Sequence, residues 1–555
     1  MLPPKVPTAP APPLHVAEDR GVPGDLARSR PSPRRTTRVA PPARIGAIVF
    51  LSLLALEARA GSLALPVREK VLSNGMRLLL VRRPGDPTLV CGWVARVGSA
   101  HDGLETTGLA HMLEHMMFKG TETLGTRDAL RDKALNDRQD ELQARIREET
   151  EALRDLQRRG QIADPTDPQA RSPRLQSLLQ EFRATVEEQR PLVVRNEIQA
   201  IYSQAGATRV NAGTGSDWTV YVANVPAGKL ELWFWLESDR LRAPVFREFY
   251  TEREVVKEER RSGVEAEPGG EAMEAFAAMI WQAHPYQWCT FSAIGWPTPL
   301  TNLTRMQAEK FFRTYYAPGN ITAIVVGDFD PAEAERMAES YFGRIPRAAA
   351  PPPALLADEP RQQGEQRMIV RGTASPRLVA AFKGRPALHR DAPALTVLER
   401  ALNGSSGRLE QGLIKSNRTA VSARARLDLR KYGGLLHLEA VPTPGTSLDA
   451  LESALDRDLE RLGKEPLSAG ELARAKNQAL AAYLEQAENP RALVWALAEA
   501  ETNGTFRDWL SIQARLEAVT AESVLRVAAE TFRSEGRNVL RFEGPEPAPS
   551  RKEAR

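Results

Sequence analysis

Two features of this 555-residue chain predict an α+β fold of two domains with similar plan. The first is a weak internal repeat. Leu300-x-x-Leu303-Thr304 precedes a helical segment and an apolar strand, and recurs 216 residues on as Leu516-x-x-Val519-Thr520. Leu113-Glu114-His115 recurs 285 residues on as Leu398-Glu399-Arg400. The second feature is a charged, helix-patterned stretch at 126–194, 69 residues long. That length is about the difference between the two offsets, so a helical hairpin interrupts only the first copy.

In chain order, Arg68 to Val81 reads as a hairpin around Asn74-Gly75. Thr88 to Val97 is an apolar run with β-branched residues, a buried strand. Within 126–194, Leu135, Leu142, Ile146, Leu153 and Leu156 recur at helical or heptad spacing. Asp164-Pro-Thr-Asp-Pro168 breaks that helix. Leu175, Leu178, Leu179, Phe182 and Val186 form a second stripe. The hairpin has its own apolar stripes, and loop length is thermodynamically tolerant, so the insertion is expected to be separable. Gly206 to Tyr221 returns to β character. Leu230 to Leu241 and Glu252 to Arg261 read as helices, and Trp281 to Trp296 as a loop. Arg305 to Tyr316 reads as a helix leading into strand Ile321–Val326.

Composition narrows the classes. Aromatic content of 6% and hydrophobic content of 42% suit a soluble globular protein. The formal charge of +4 is local, because residues 1–60 carry nine Lys/Arg and four acids. That is +5, which leaves −1 on the other 495 residues and no case for nucleic acid. Arg34, Arg35, Arg38 and Arg44 precede a 12-residue apolar run, Ile45 to Leu56. Ala58-Arg59-Ala60 then fits a small-x-small cleavage site. This predicts export to a periplasmic or extracellular space, with a mature chain beginning near Gly61. Twelve residues are too few to span a bilayer comfortably, so no stable span is expected after cleavage. An uncleaved leader would instead anchor the chain. The expected layout is a leader at 1–60 and a first domain at 61–345. A Pro/Ala linker at 346–366, a second domain at 367–545 and a tail at 546–555 follow. Cys91 and Cys289 are the only cysteines, and their spacing indicates no metal site.

The chemistry concentrates in Gly108-Leu-Ala-His111-Met-Leu-Glu114-His115-Met-Met-Phe-Lys-Gly120-Thr121. On a helix, His111 and His115 stack on one face one turn apart, with Glu114 angled to the same side. Two neutral imidazoles about 2.0–2.1 Å from Zn²⁺ leave room for a third ligand and a water. A carboxylate beside that water takes its proton. This is the H-x-x-E-H order of the inverzincins. The bland alternative is a solvated helix that happens to carry two His, but two of the chain's seven His fall in this pentad. A third ligand is needed. Glu252, Glu258 and Glu259 share one helix, and Glu252 and Glu259, seven apart, share one face. One of them can ligate while the other orients a ligating His. In the repeat, the His positions become Thr396 and Arg400, which cannot hold zinc, so one Zn²⁺ per chain is expected.

Residues 66–345 resemble the catalytic domain of the pitrilysin / insulin-degrading enzyme / mitochondrial processing peptidase family. The motifs are GLAHMLEHMMFKGT, NAGTGSDWTVY, EREVVKEE, HPY and NITAIVVGDFD. The resemblance implies two homologous processing-peptidase-like domains forming a clam-like half. It implies a zinc metalloendopeptidase acting on peptides or unfolded polypeptide segments bound as an added strand, with Glu114 as general base. It assigns Glu259 as the zinc ligand and Glu252 as the outer partner of a ligating His. The family's Asn-Ala-x-Thr substrate edge falls on Asn211, Ala212 and Thr214. Two departures stand out. The gap from His115 to Glu259 is 144 residues, lengthened by the insertion. The family's Arg and Tyr that hold substrate backbone from the second domain are replaced by Ile414 and Val421, with Arg418 and Tyr432 nearby but out of register. The expected partner besides a peptide is therefore a related subunit that carries the Arg/Tyr pair. A homodimer is the other arrangement, but it would lack the pair in both copies. The rival reading is a catalytically silent structural or peptide-binding subunit of such a heterodimer.

Overall fold

The chain enters its first sheet through the predicted hairpin. β1 (Val67–Val71) and β2 (Arg77–Arg82) pair antiparallel around Asn74-Gly75. β3 (Thr88–Ala95), β4 (Thr208–Thr214), β5 (Thr219–Pro226) and β6 (Ile321–Gly327) complete a six-stranded sheet in the order β1-β2-β6-β3-β5-β4. β7 (Gln366–Val370), β8 (Arg377–Gly384), β9 (Ala420–Leu429), β10 (Gly434–Pro442) and β11 (Arg537–Phe542) form a second sheet, β7-β11-β8-β10-β9. Strand for strand, the second sheet repeats the first without β1. Even the parallel pair recurs, β2 with β6 and β7 with β11. The 216-residue offset reappears as two capping boxes. Thr304 opens helix Arg305–Tyr315 before β6, and Thr520 opens helix Ala521–Thr531 before β11. This computed structural model describes residues 65–289, 293–356, 358–372 and 374–544, so the expected leader and tail lie outside the described residues. Cys91 and Cys289 are separate buried thiols. No described helix is long and apolar enough to cross a membrane.

Alternation along the strands gives each sheet two apolar faces, and each face needs a cover. On the inner face of the first sheet, Leu78, Leu80, Trp93, Tyr221 and Ala323 pack against helices of the same half. On its outer face, Leu79, Val94, Val220 and Ile324 are covered from the second half. Val494 and Leu497 of helix Pro490–Asn503 are buried there. The second sheet receives the reciprocal cover, with Val379, Leu435 and Leu540 packing on Phe276 and Ile280 of helix Gly270–Ile280. The halves thus exchange a helix within one compact unit, Ser62–Arg555. Each fully buried Leu or Val on these helices contributes about 1.5–3 kcal/mol. Glu501 adds a polar latch inside the apolar cover. Its buried carboxylate accepts from Arg77 Nη1 (3.0 Å), Thr322 Oγ1 (3.1 Å) and the Phe506 N–H (2.8 Å).

The charged stretch folds as helices Ala129–Arg158 and Pro173–Gln189, joined by a turn at the predicted break. An antiparallel bridge, Thr126 to Val193, closes its base. Leu142, Ile146, Leu153, Leu175 and Leu178 make a small core of its own. The expected separability does not hold at the base. Asp132 Oδ2 lies 2.6 Å from Arg247 Nε, and both side chains are 1% exposed. Arg247 also donates to the carbonyls of Leu124 (2.8 Å) and Thr121 (2.7 Å). Farther along, Asp140 accepts from the Tyr250 hydroxyl (2.7 Å) and from Arg305 Nη2 (2.6 Å). In the sequence these acids look like a solvated face. In the fold they are the counter-ions of the first half's core. Asp132→Ala strands a buried guanidinium, and we expect it to cost about 3–5 kcal/mol by denaturant unfolding. Asp132→Met with Arg247→Met removes both charges and should recover most of that loss. Equal stability of wild type and Asp132→Ala would refute the anchoring role.

Candidate metal centre

The motif forms helix Leu109–Met116. Leu109, Met112, Leu113 and Met116 are buried against the first sheet, which turns His111, Glu114 and His115 toward the end of β4. The start of this helix is fixed from outside. Asp102, in the preceding loop, accepts the Gly108 N–H through Oδ2 and the Ala110 N–H through Oδ1, both at 2.9 Å. A carboxylate at a helix N-terminus satisfies orphan donors and complements the helix dipole. Gly108 has φ 88°, and a Cβ there would lie 2.5 Å from the Ile294 carbonyl oxygen. Only glycine fits both constraints.

The rings of His111 and His115 lie 4.8 Å apart at 72°. Helix Phe249–Arg260 crosses beside them and brings both predicted acids to one imidazole. Glu252 Oε1 sits 2.9 Å from His115 Nδ1, and Glu259 Oε2 sits 3.5 Å from His115 Nε2. Lys119 Nζ holds the other oxygen of Glu252 at 2.5 Å. The end of this helix is pinned by Arg260, next to Glu259. Its guanidinium makes a bidentate pair with Glu274 (2.8 and 2.6 Å) and donates to the Gly295 carbonyl at 2.7 Å.

Electrostatics separates the roles. Burial, reinforced by His115, pushes His111 down to about 3, so this imidazole is neutral at ordinary pH. Burial raises the Glu114 carboxyl, against the pull of His115 and the Thr214 hydroxyl. Burial alone would raise Glu252, but the His115 hydrogen bond and the Lys119 ammonium hold it down to about 2. Glu259 is raised, chiefly by burial.

β4 ends the sheet, with one edge unpaired among the described strands. The Thr214 hydroxyl donates to Glu114 Oε2 at 2.6 Å, tying this edge to the motif helix. Ala212 pairs opposite Tyr221 and Thr214 opposite Thr219, on the motif-helix face. Asn211, opposite Val222, faces the other way, as does Gly213, opposite Val220. Thus His111, Glu114, His115, Glu252, Glu259 and Thr214 converge, Ala212 shares their face, and Asn211 does not. Sequence reasoning missed Asp102 and Lys119. No helix-start or metal-ligand pattern points to a carboxylate six residues before an N-cap, or to a lysine one turn past His115.

A divalent cation fits this donor set. Ligand atoms of His111, His115 and Glu259 lie within 4.8 Å of one another, the one such group among the described residues. Burial opposes the charged form of His115, but the Glu252 hydrogen bond and the charges of Glu259 and Glu114 raise it, so this imidazole holds a cation's place between two acids. With a metal at Nε2, Glu252 would keep the remaining proton on Nδ1. His111 Nδ1 is buried with no hydrogen-bond partner. In the second half, Thr396 bonds its own helix at Ala392, and Arg400 pairs with Glu399 at 3.3 Å. Val421 is 55% exposed and Ile414 is partly buried in the second core. Tyr432 packs its ring 5.4 Å from that of His284, within the core between the halves.

These features define a class, a fold of two mixed α/β domains of one plan with a metal-type cluster in the first. The family model described as Insulinase (Peptidase family M16) matches residues 77–138. That described as Peptidase M16 inactive domain matches 302–479. The zinc protease PqqE of Helicobacter pylori is 24% identical over 480 residues, covering 84% of this chain and 91% of that protein. A protease structure from Helicobacter pylori matches with TM-score 0.69 at 21% identity, covering 86% of this chain and 99% of that one. The periplasmic protease PqqL of Escherichia coli matches with TM-score 0.61 at 18% identity, covering 87% of this chain and 49% of that one. Both family models, the zinc-protease relatives and the structural neighbours thus point to the M16 (insulinase/pitrilysin-like) family as what this chain resembles.

Asp102→Ala leaves two helix N–H donors without partners. We expect it to lower thermal or denaturant stability by about 1–2 kcal/mol. An unchanged unfolding midpoint would show that the cap is redundant.

Proposed function

We propose that this chain is a zinc-dependent endopeptidase that cuts peptides or unfolded segments paired to the free edge of β4. One observation carries the reading. The imidazole of His115 lies between Glu252 and Glu259, while Glu114 is hydrogen-bonded to the last residue of the edge strand. His111, His115 and Glu259 would hold one zinc ion. Zinc held there would supply a water of near-neutral pKa and a Lewis acid for the scissile carbonyl. Glu114, its proton affinity raised by burial, takes the proton of the attacking water and passes it to the leaving amine. Glu252 keeps the His115 proton on Nδ1 and fixes the ring. Ala212 and Thr214 flank the substrate backbone, and Asn211 acts through its main chain.

Ile414 and Val421 offer no hydrogen bond to a substrate carbonyl. This supports a related second subunit that supplies an Arg/Tyr pair. The same lack favours the second reading, a peptide-holding subunit that does not cut. Export is supported by the Arg-flanked apolar leader and by the periplasmic relative. N-terminal sequencing of protein from the native cell should begin near Gly61, and an intact leader on cytoplasmic protein would refute export.

Turnover of an unstructured peptide should disappear with chelator and return with zinc. Glu114→Gln should keep zinc and lose about 10²–10⁴-fold in turnover. Glu259→Gln should lose zinc itself. Substantial turnover by Glu114→Gln sinks the base assignment. Full activity of the chain alone, unchanged by a paralogue bearing Arg and Tyr, rules out the partner.

A further inference from the structure

Helix Pro490–Asn503 belongs to the second half, yet two of its part-exposed side chains, Arg491 and Trp495, reach β4. Arg491 Nη1 donates to the Arg209 carbonyl at 3.0 Å and reaches Asn224 Oδ1 at 3.2 Å. This is where β4 shifts register between Thr208 and Asn211. One turn on, Trp495 stands against Gly213, where a Cβ would lie 3.1 Å from the indole. Trp218 meets Trp495 edge to face, with ring centroids 5.5 Å apart. Trp218 covers Gly215 so closely that a Cβ there would come within 2.6 Å. Both indoles remain partly exposed. Two glycines at alternate positions thus clear the outer side of the strand's end, and two tryptophans, one from each half, fill that space.

Strand geometry says what such a wall would read. Side chains of a peptide paired to β4 alternate between the two faces of the sheet. One residue faces Glu114, on the side of Thr214. Its neighbour projects to the opposite side, that of Gly213, where the indoles lie. The wall offers carbon surface. Arg491 is turned to the β4 backbone. Charge borders the wall on one side only, where Trp218 shares a cavity with Glu499, one turn past Trp495, and with Asp217 and Arg430.

We propose that Trp495 and Trp218 form a side-chain subsite that selects a large apolar residue next in sequence to the one facing Glu114. The proposal rests on the peptidase reading but is testable apart from it. A peptide set carrying Phe, Leu, Ala, Glu or Lys at each position in turn is profiled two ways. The first is kcat/KM with the zinc-loaded wild type. The second is anisotropy of labelled peptides on Glu114→Gln protein, which reads binding without turnover. At one position, Phe and Leu should exceed Ala and Glu by roughly tenfold or more in both assays. Trp495→Leu, which keeps an apolar side chain in the packing, and Trp218→Leu should each shrink that ratio severalfold at that position alone. A flat profile, a preference for Lys, or a ratio unmoved in both variants overturns the subsite. So does failure of every peptide to bind. Binding with the expected preference but no cleavage upholds the subsite and refutes the peptidase reading.

Discussion

Everything near the centre depends on one imidazole gripped at both nitrogens. His115 meets Glu252 through Nδ1 and Glu259 through Nε2. Two acids on one helix reach opposite sides of a ring only if that helix crosses the motif helix at a set height and rotation. Several otherwise unrelated contacts enforce the crossing. Asp102 fixes the start of the motif helix, Lys119 holds Glu252, and the Arg260–Glu274 pair pins the crossing helix just past Glu259, where it runs on into the π-helical turn Arg261–Glu265. Each is a directional, buried or part-buried charge interaction. Apolar packing alone, which tolerates sliding, would not set the crossing so closely.

The apolar packing does a different task. It decides what covers each sheet, and the answer is reciprocal. Helix Gly270–Ile280 lies on the second sheet and helix Pro490–Asn503 on the first. The second half holds Thr396 and Arg400 where the first holds metal-type histidines, yet it keeps the strand order and the capped helix before its last parallel-paired strand. Its shape is needed where its chemistry is not.

The chain declares local features well. The Asn74-Gly75 hairpin, the buried β3 run, the hairpin helices and the motif helix follow from periodicity and turn chemistry, which act over a few residues. The repeat is visible because Thr304 and Thr520 cap equivalent helices, and a capping box is itself a local pattern. Helical spacing leaves Glu252, Glu258 and Glu259 as candidates for the third acid and the family likeness favours Glu259, and the fold brings Glu252 and Glu259 together on His115. What stayed hidden is long-range. Asp132 with Arg247, Arg77 with Glu501, and Trp495 with Gly213 are partners 115 to 424 residues apart. No periodicity links them, and on a helical wheel Asp132 is simply another hydrophilic position. Burial alone gives it meaning.

The exchanged helices also decide how the chain can be divided. A cut in the Pro/Ala stretch between the sheets would yield two fragments, each missing the lid of its own sheet. Either fragment alone would expose a broad apolar face rather than fold as a smaller protein. Mixed together, however, each carries what the other lacks, like two halves of a clasp. The chain is therefore suited to fragment complementation but not to truncation. Any lineage that discarded the second half would have had to replace a structural cover as well.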